Sequence, residues 1–508
     1  MIIRDLLENG GPSRAAIKTS DGRAITYNRL AQQVDALSTQ LSELGLGQGD
    51  RIAIALPNGL EVIASFLAAS KVGTAAPLNP AYTRDEFKFY LDDTAASALI
   101  VPAGAAAEAR AAAADEVQVI EAHLDQDGRV QLSAESTSSR RSLSGVRAPF
   151  EGETADSATE DAALILHTSG TTSRPKRVPL SHTNLTTSAR NVAETYQLTP
   201  EDVSLCVMPL FHVHGLVAST LATFFSGGTV VVPPKFNPLS FWSTVREHRI
   251  TWYSAVPTIH QVLLSRTKAG TRPAGAEQLR FVRSCSAALA PQTMADLEAR
   301  FGVPVLEAYG MTEAAHQMAS NPLPPRARKP GSVGRGTAVE IAILNEAGDI
   351  LAPSATGEVS IRGANVFGGY EGNPAANAES FSNGWFRTGD QGYLDEEGYL
   401  TLVGRIKELI NRGGEKISPR EIDETLLTHA AVAEAVSFGI PDRVYGEDVA
   451  AAVVLKESAT EKDLIDHCRS KLAEFKCPRT IYIVETIPRT ATGKIQRRNV
   501  AAAITNNL

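Results

Sequence analysis

Leu166-His167-Thr168-Ser169-Gly170-Thr171-Thr172-Ser173-Arg174-Pro175-Lys176-Arg177 follows directly on the apolar run Ala162 to Leu166. The run reads as a buried strand. Behind it, five hydroxyls, one glycine and three cations form a loop whose N–H groups, hydroxyls and cations can all face a polyphosphate. The spacing is not that of a Walker A loop, because GxxxxGK[ST] does not occur here. Gly45, Gly47 and Gly49 precede a strand, so a dinucleotide fingerprint has no support either. Composition by itself favours a solvated Ser/Thr loop, and the surrounding chain must decide.

Outward from this loop the chain alternates strand and helix. Arg51 to Leu56 reads as a short buried strand, Leu60 to Lys71 as an amphipathic helix, and Ala75 to Leu78 as a strand. Thr83 and Glu86 form a capping box, and Ala98 to Val101 is the next strand. That order implies a parallel sheet covered by helices. The stretch Ala103 to Asp115 is alanine-rich, and Ser133 to Ser157 reads as a long surface connection. Strands near Leu164, Val203, Val230, Trp252, Phe281 and Val305, with helices at Pro238 to His248 and Pro291 to Phe301, imply a second α/β layer.

Between Ala338 and Leu402 short strands and turns indicate a β subdomain. After it come a helix (Pro419 to Leu427), two strands (Val432 to Phe438, Asp448 to Leu455), a helix (Glu461 to Leu472) and a strand (Thr480 to Val484). The expected fold is α/β: a large N-terminal region of two sheet layers plus a β subdomain, and a small α+β C-terminal domain.

The 508 residues suggest three or four folding units at about 150 residues each. With 43% apolar and 21% charged residues, disorder and fibrous repeats are excluded as the main description. A net charge of −8 argues against a general nucleic-acid binder, so any polyanion is expected to be held locally. Cys206, Cys285, Cys468 and Cys477 form no CxxC pair, which suggests a reducing compartment. The charged start Met1-Ile2-Ile3-Arg4-Asp5 is unlike a signal peptide. The longest apolar stretch, Leu216 to Val232, is broken by polar residues and Gly227-Gly228, and reads as helix, glycine turn and strand, with no membrane partner expected. The final Asn-Asn-Leu shares only its leucine with the Ser-Lys-Leu peroxisomal address, so the cytoplasm is the expected compartment and the peroxisome the alternative with the poorer signal.

Thr168 to Lys176 resembles the phosphate loop of the acyl-adenylate-forming enzymes, the superfamily of acyl-CoA synthetases, peptide-synthetase adenylation domains and firefly luciferase. Four further segments follow in that superfamily's order. Tyr309-Gly310-Met311-Thr312-Glu313 looks like its adenine and magnesium motif, and Trp385-Phe386-Arg387-Thr388-Gly389-Asp390 like its ribose motif. Gly404-Arg405-Ile406-Lys407-Glu408 looks like its hinge, and Pro488-Arg489-Thr490-Ala491-Thr492-Gly493-Lys494 like its catalytic lysine loop. The resemblance spans about Ile25 to Val500.

What the resemblance implies is ATP, Mg²⁺ and coenzyme A chemistry in two half-reactions. A carboxylate and ATP would give acyl-AMP and pyrophosphate, and the adenylate would then yield a thioester. Thr168, Ser169, Gly170, Thr171, Thr172, Ser173 and Lys176 would cradle phosphates, Thr312 would donate to the α-phosphate, and Glu313 would ligate Mg²⁺. Asp390, with Arg405 beside it, would bind the ribose, and Tyr309 and Gly310 the adenine. Lys494 would bridge the acid and the α-phosphate. The implied domains are 1–404 and 408–508, rotating about a hinge at 405–407 that includes Lys407. Rotation would bring Arg412, Gly413, Gly414 and Glu415 to the pantetheine thiol, although a helix C-cap would also explain the glycine pair.

Two positions depart from the usual Gly-x-Pro-Lys-Gly ending. Ser173 keeps a small hydroxyl, whereas Arg177 either strains a loop that needs positive φ or adds a cation near the phosphates. The segments expected to build the acyl pocket hold His212, His214, Arg283, Ser284, Ser286, Ala287 and His316, a set that favours a small, polar, dianionic acid. His214, Ser286 and His316 are expected on the distal carboxylate, with His212 as a gate and Arg283 equally suited to a structural ion pair.

Pro257-Thr258-Ile259-His260-Gln261, Arg283-Ser284-Cys285-Ser286-Ala287 and the run Ile406 to Pro419 closely resemble the oxalate–CoA ligases of plants and fungi. That resemblance implies oxalate as substrate and oxalyl-CoA as product, by a monomer or weak homodimer. The rivals are a synthetase for a short, medium-chain or aryl acid, a module loading a carrier protein, and a non-catalytic nucleotide-binding relative. No carrier domain follows Lys494, and retention of Lys494, Lys407, Glu313 and Asp390 argues against lost catalysis.

Overall fold

A computed structural model describes residues 1–20, 22–134, 161–168, 175–268, 270–490 and 493–505. Two large sheets organise the N-terminal region. In the seven-stranded sheet, Arg51–Ile54 pairs in parallel with Thr74–Pro77 and Ala98–Pro102, and Thr74–Pro77 passes the sheet on to Ala162–Thr168. Lys176–Ser181 returns antiparallel to Ala162–Thr168, so the strand expected before the phosphate loop is in place. In the nine-stranded sheet, Val203–Leu205, Trp252–Ala255, Phe281–Ser284 and Val305–Met311 run parallel in that order. Antiparallel His316–Ser320 closes that edge toward Arg335–Gly336.

The helix Leu60–Val72 departs from the amphipathic reading. From Leu60 to Ser70 every residue except Glu61 is buried. It is packed among the N-terminal turn Ile3–Glu8, the helix Tyr27–Glu43 and strands of the seven-stranded sheet, and a helix covered on all sides has no polar face to keep. Thr83 and Glu86 make the expected capping box on the helix Arg84–Thr94. The apolar stretch after Pro209 folds as a π-helical turn, His214–Leu221, continued by Ala222–Phe225 and the strand Thr229–Val232. Among the described residues no helix is long and apolar enough to cross a membrane.

The β subdomain pairs Glu340–Leu344, Gly357–Arg362, Trp385–Leu394 and Leu400–Arg405 in antiparallel order. Its core is continuous with that of both large sheets. The C-terminal region has its own sheet, centred on Gly446–Leu455, and its own apolar cores. Gly413 and Gly414 are not a helix cap. They turn the hairpin Ile410–Arg412/Glu415–Ile417 with φ of 61° and 98°, and a two-residue hairpin turn needs that left-handed pair. Ser133 and Ala134 are the last residues of the strand Val130–Ala134, and the remainder of the connection read as 133–157 lies outside the described residues.

Candidate active site

A cavity of about 670 Å³ opens where the carboxyl ends of both large sheets meet the β subdomain and the C-terminal region. Thr168, Lys176, His212, Ser286, Gly310, Thr312, Glu313, His316, Arg405, Lys407 and Lys494 all line it. With Arg387, Thr388 and Gly389 of the ribose motif also in the lining, one space holds residues from all five motifs. The calls on Ser169, Gly170, Thr171, Thr172 and Ser173 lie outside the described residues. Tyr309, Asp390, His214, Ser284, Ala287 and the hairpin Arg412 to Glu415 are not part of its lining.

Glu313 sits in the turn after the strand Val305–Met311 and is buried. Tyr370 donates its hydroxyl to Glu313 Oε1 at 2.8 Å, and Lys176 Nζ stands 4.1 Å from the centre of the Tyr370 ring. Tyr370 carries no motif and was not expected here. Burial raises the Glu313 carboxyl above its ordinary range, against the hydrogen bond from Tyr370 and the charges of Arg405 and Lys176. Lys494 lines the cavity and is exposed to the solvent in it. Desolvation of its ammonium by the cavity walls, and then the charge of Arg405, lower its pKa, while Asp390, Glu408 and Glu313 pull the other way. The loop carrying it docks on the large region: a Cβ on Gly493 would stand 3.2 Å from Val256 Cγ2 and 3.3 Å from Thr258 Oγ1.

Asp390 faces Arg405 across the pair Trp385–Leu394/Leu400–Arg405. Arg405 Nε lies 2.9 Å from Asp390 Oδ1, and the Tyr309 hydroxyl donates to Oδ2. A carboxylate oxygen accepts more than one bond, so this cluster retains acceptor capacity toward a diol.

On the opposite wall His214 is fully buried, held by Ser254 Oγ 2.6 Å from Nε2 and Ser286 Oγ 3.0 Å from Nδ1. It reaches the cavity through Ser286 and is not part of the lining. Ser284 lies buried inside its strand with no hydrogen-bond partner on Oγ, and Ala287 is exposed away from the lining. Burial lowers the His212 imidazole to about 4, and it holds His214 and His316 well below their ordinary value, Arg283 adding to the effect. Arg283 itself has no carboxylate partner among the described residues. It donates to Tyr196 Oη at 2.8 Å, Ser254 Oγ at 2.8 Å and Gln317 Oε1 at 2.9 Å.

Arg177 takes neither of the two expected courses. Its backbone belongs to the strand Lys176–Ser181 without positive φ. The guanidinium turns away from the cavity toward Asp93 and toward Glu371, 3.4 Å from Oε1, and Arg51 also reaches Glu371 at 2.8 Å. At the far side, Arg412 pairs with Asp448 at 2.8 Å and stacks over Tyr445, leaving Gly413, Gly414 and Glu415 exposed at the hairpin tip.

Comparisons with known proteins agree with this geometry. Residues 8–371 match the AMP-binding enzyme family, and residues 421–494 match the AMP-binding enzyme C-terminal domain. The chain is 47% identical to the oxalate–CoA ligase of Arabidopsis thaliana over 98% of this chain and 97% of that protein. It is 45% identical to the oxalate–CoA ligase of Saccharomyces cerevisiae over 96% and 94%. The crystal structure of ATP-bound MatB from Rhodopseudomonas palustris superposes with a TM-score of 0.86 at 30% identity, covering 100% of this chain and 99% of that one. With both matched segments on either side of the cavity that collects their motifs, the chain belongs to the AMP-binding enzyme family.

Proposed function

We propose that this chain is an AMP-forming acid–thiol ligase that activates oxalate with ATP and passes the oxalyl group to coenzyme A. The observation that carries the reading is the shared cavity, in which Thr312, Glu313, Arg405 and Lys494 face the polar wall His212, Ser286 and His316. Full-length similarity to two oxalate–CoA ligases supports the choice of acid.

In the first half-reaction an oxalate oxygen attacks the α-phosphorus, and the bond to the pyrophosphate oxygen breaks. Two anions must approach each other, so the site has to supply cations and donors where charge gathers. Lys494 bridges the attacking carboxylate and the α-phosphate, Thr312 donates to that phosphate, and Lys176 with residues 169–173 holds the remaining phosphates. Asp390 accepts from the ribose hydroxyls beside Arg405, and Tyr309 with Gly310 borders the adenine. Mg²⁺, when bound, neutralises charge on the phosphates. The donors fit it: Glu313 is a single buried carboxylate at the cavity, and the described residues include no cluster of three His, Cys, Asp or Glu. Mg²⁺ characteristically takes one or two carboxylates and completes its shell with phosphates and water.

The present arrangement, with Lys494 in the cavity beside Glu313, serves adenylation. For the second half-reaction, residues 408–508 rotate against 1–404 about 405–407, where Lys407 is exposed. The hairpin Arg412 to Glu415 then replaces Lys494, and the thiol attacks the oxalyl carbonyl with AMP as leaving group. A Cβ on Gly414 would meet nothing within 4 Å, which leaves a low ridge for a narrow pantetheine chain. Four free, buried cysteines support a reducing compartment, the cytoplasm.

The test is stepwise product release. With ATP, Mg²⁺ and oxalate, pyrophosphate appears in one burst without coenzyme A, and AMP follows when coenzyme A is added. Pyrophosphate release that ignores oxalate, or AMP release without coenzyme A, contradicts the reading.

A further inference from the structure

We propose that Arg283, which does not line the cavity, presets the acid pocket as a wall of hydrogen-bond donors and so selects an acid with an anionic distal group. The inference rests on the oxalate reading above and names the device behind it.

A guanidinium only donates. Arg283 Nη2 lies 3.3 Å from His316 Nδ1, so Nδ1 must accept and the neutral ring carries its proton on Nε2. His316 lines the cavity, and Nε2–H is the polar group left to it. A second arm runs through Ser254. Its Oγ accepts from Arg283 Nη1 at 2.8 Å, which frees its hydroxyl proton for His214 Nε2 at 2.6 Å. Arg283 Nη1 lies 3.5 Å from the same Nε2, which also requires an acceptor there. His214 therefore carries its proton on Nδ1 and donates to Ser286 Oγ at 3.0 Å, turning the Ser286 hydroxyl toward the remaining partner, the cavity. His212 is set by the backbone: the His214 N–H donates to its Nδ1 at 3.2 Å, leaving Nε2–H.

Three cavity groups are thus donors, two of them fixed by one buried cation. Tyr196 and Gln317 brace that cation from behind without neutralising it. Among the described residues that cation has no counter-ion; a buried charge left so is costly, and an anionic acid supplies the missing charge through the two arms. An acid with an apolar tail leaves the donors unpaired and is rejected, the asymmetry by which polar sites discriminate most strongly. Arg283 is a positioning residue, since it acts through His316 and Ser254.

The proposal is tested on the full-length enzyme with Arg283→Met, Arg283→Lys and Ser254→Ala, comparing oxalate with acetate. Arg283→Met should raise the KM for oxalate about 100-fold while the KM for ATP stays within about twofold and acetate changes little. Ser254→Ala, which cuts one arm, should give a smaller rise, and Arg283→Lys a partial rescue. Equal losses for oxalate and acetate would mean a merely structural role and overturn the proposal. If Arg283→Met fails to fold, Ser254→Ala and ¹⁵N-histidine NMR of the wild type decide. The NMR should show His316 and His212 protonated on Nε2 at neutral pH, and protonation on Nδ1 would refute the donor wall. A wild-type enzyme with those tautomers that ignores oxalate would sink the oxalate reading alone.

Discussion

A Cβ on Gly310 would stand 1.9 Å from the carbonyl oxygen of His316. The two residues belong to different sides of the cavity, the segment Tyr309 to Glu313 and the polar wall of His212, Ser286 and His316, yet their backbones touch where the pair Val305–Met311/His316–Ser320 shifts register at Tyr309/Gly310. His316 and Ala315 both have positive φ, 115° and 49°, so the turn that returns the chain to the cavity is already strained. Glycine at 310 lets that turn close.

Gly310→Ala is expected to cost about 1–3 kcal/mol, the ordinary price of overpacking, and to displace His316. Thermal melts should fall, and the oxalate KM should rise more than the ATP KM. An unchanged melt with unchanged KM values would show that the contact relaxes freely.

Lys494→Ala should abolish adenylate formation, yet spare thioester formation from synthetic oxalyl-AMP and coenzyme A, because the lysine acts only while it occupies the cavity. Single-turnover measurements of each half-reaction check this. Equal loss in both would contradict rotation of the C-terminal region.

Arg177→Gly restores the residue usual in the superfamily, and its effect should fall on stability instead of turnover. The guanidinium leaves Asp93 and Glu371, but Asp93 keeps His167 at 3.0 Å and Glu371 keeps Arg51 at 2.8 Å. The expected loss is therefore about 1–2 kcal/mol, less than cutting an isolated buried pair. Denaturant melts and kcat, which should stay within about threefold, separate the two effects.

Glu307 gives the pH dependence of stability. It is fully buried in the strand Val305–Met311, with Oε1 accepting the Leu289 N–H at 2.9 Å and Oε2 unpartnered. Burial raises its carboxyl from 4.5 to about 7, against the nearby charge of Arg420. A folded pKa above the unfolded one means that the folded state holds the proton more tightly. Its contribution is complete below pH 4.5 and is lost as pH rises through about 7. The loss amounts to about 3 kcal/mol at higher pH. Glu307→Gln should therefore raise the melting temperature at pH 8 more than at pH 5. A uniform shift at both would exclude Glu307 as the titrating group.

How far the chain could be read in advance depended on what kind of constraint each residue obeys. The shared placement of Glu313, Arg405 and Lys494 was legible because their motifs follow one another in a fixed order, and one cavity brings the three together. The helix Leu60–Val72 was misjudged because periodicity reports one buried face and cannot see a second covering layer. The polar wall of the cavity was legible in composition only. Ser254 and Tyr196 lie 29 and 87 positions from Arg283, and nothing local marks a serine or a tyrosine as the partner of a distant arginine. Tyr370, 57 positions from Glu313, escaped for the same reason.

The measurement that bears most directly on the central claim is coenzyme A-dependent AMP formation with ATP and Mg²⁺, read as kcat/KM for oxalate, malonate, acetate, octanoate and 4-coumarate. The account predicts a preference for oxalate of at least about 100-fold over acetate and octanoate, as expected where unpaired donors penalise the wrong acid. Comparable or higher kcat/KM for octanoate or 4-coumarate would keep the ligase chemistry and contradict oxalate as its substrate.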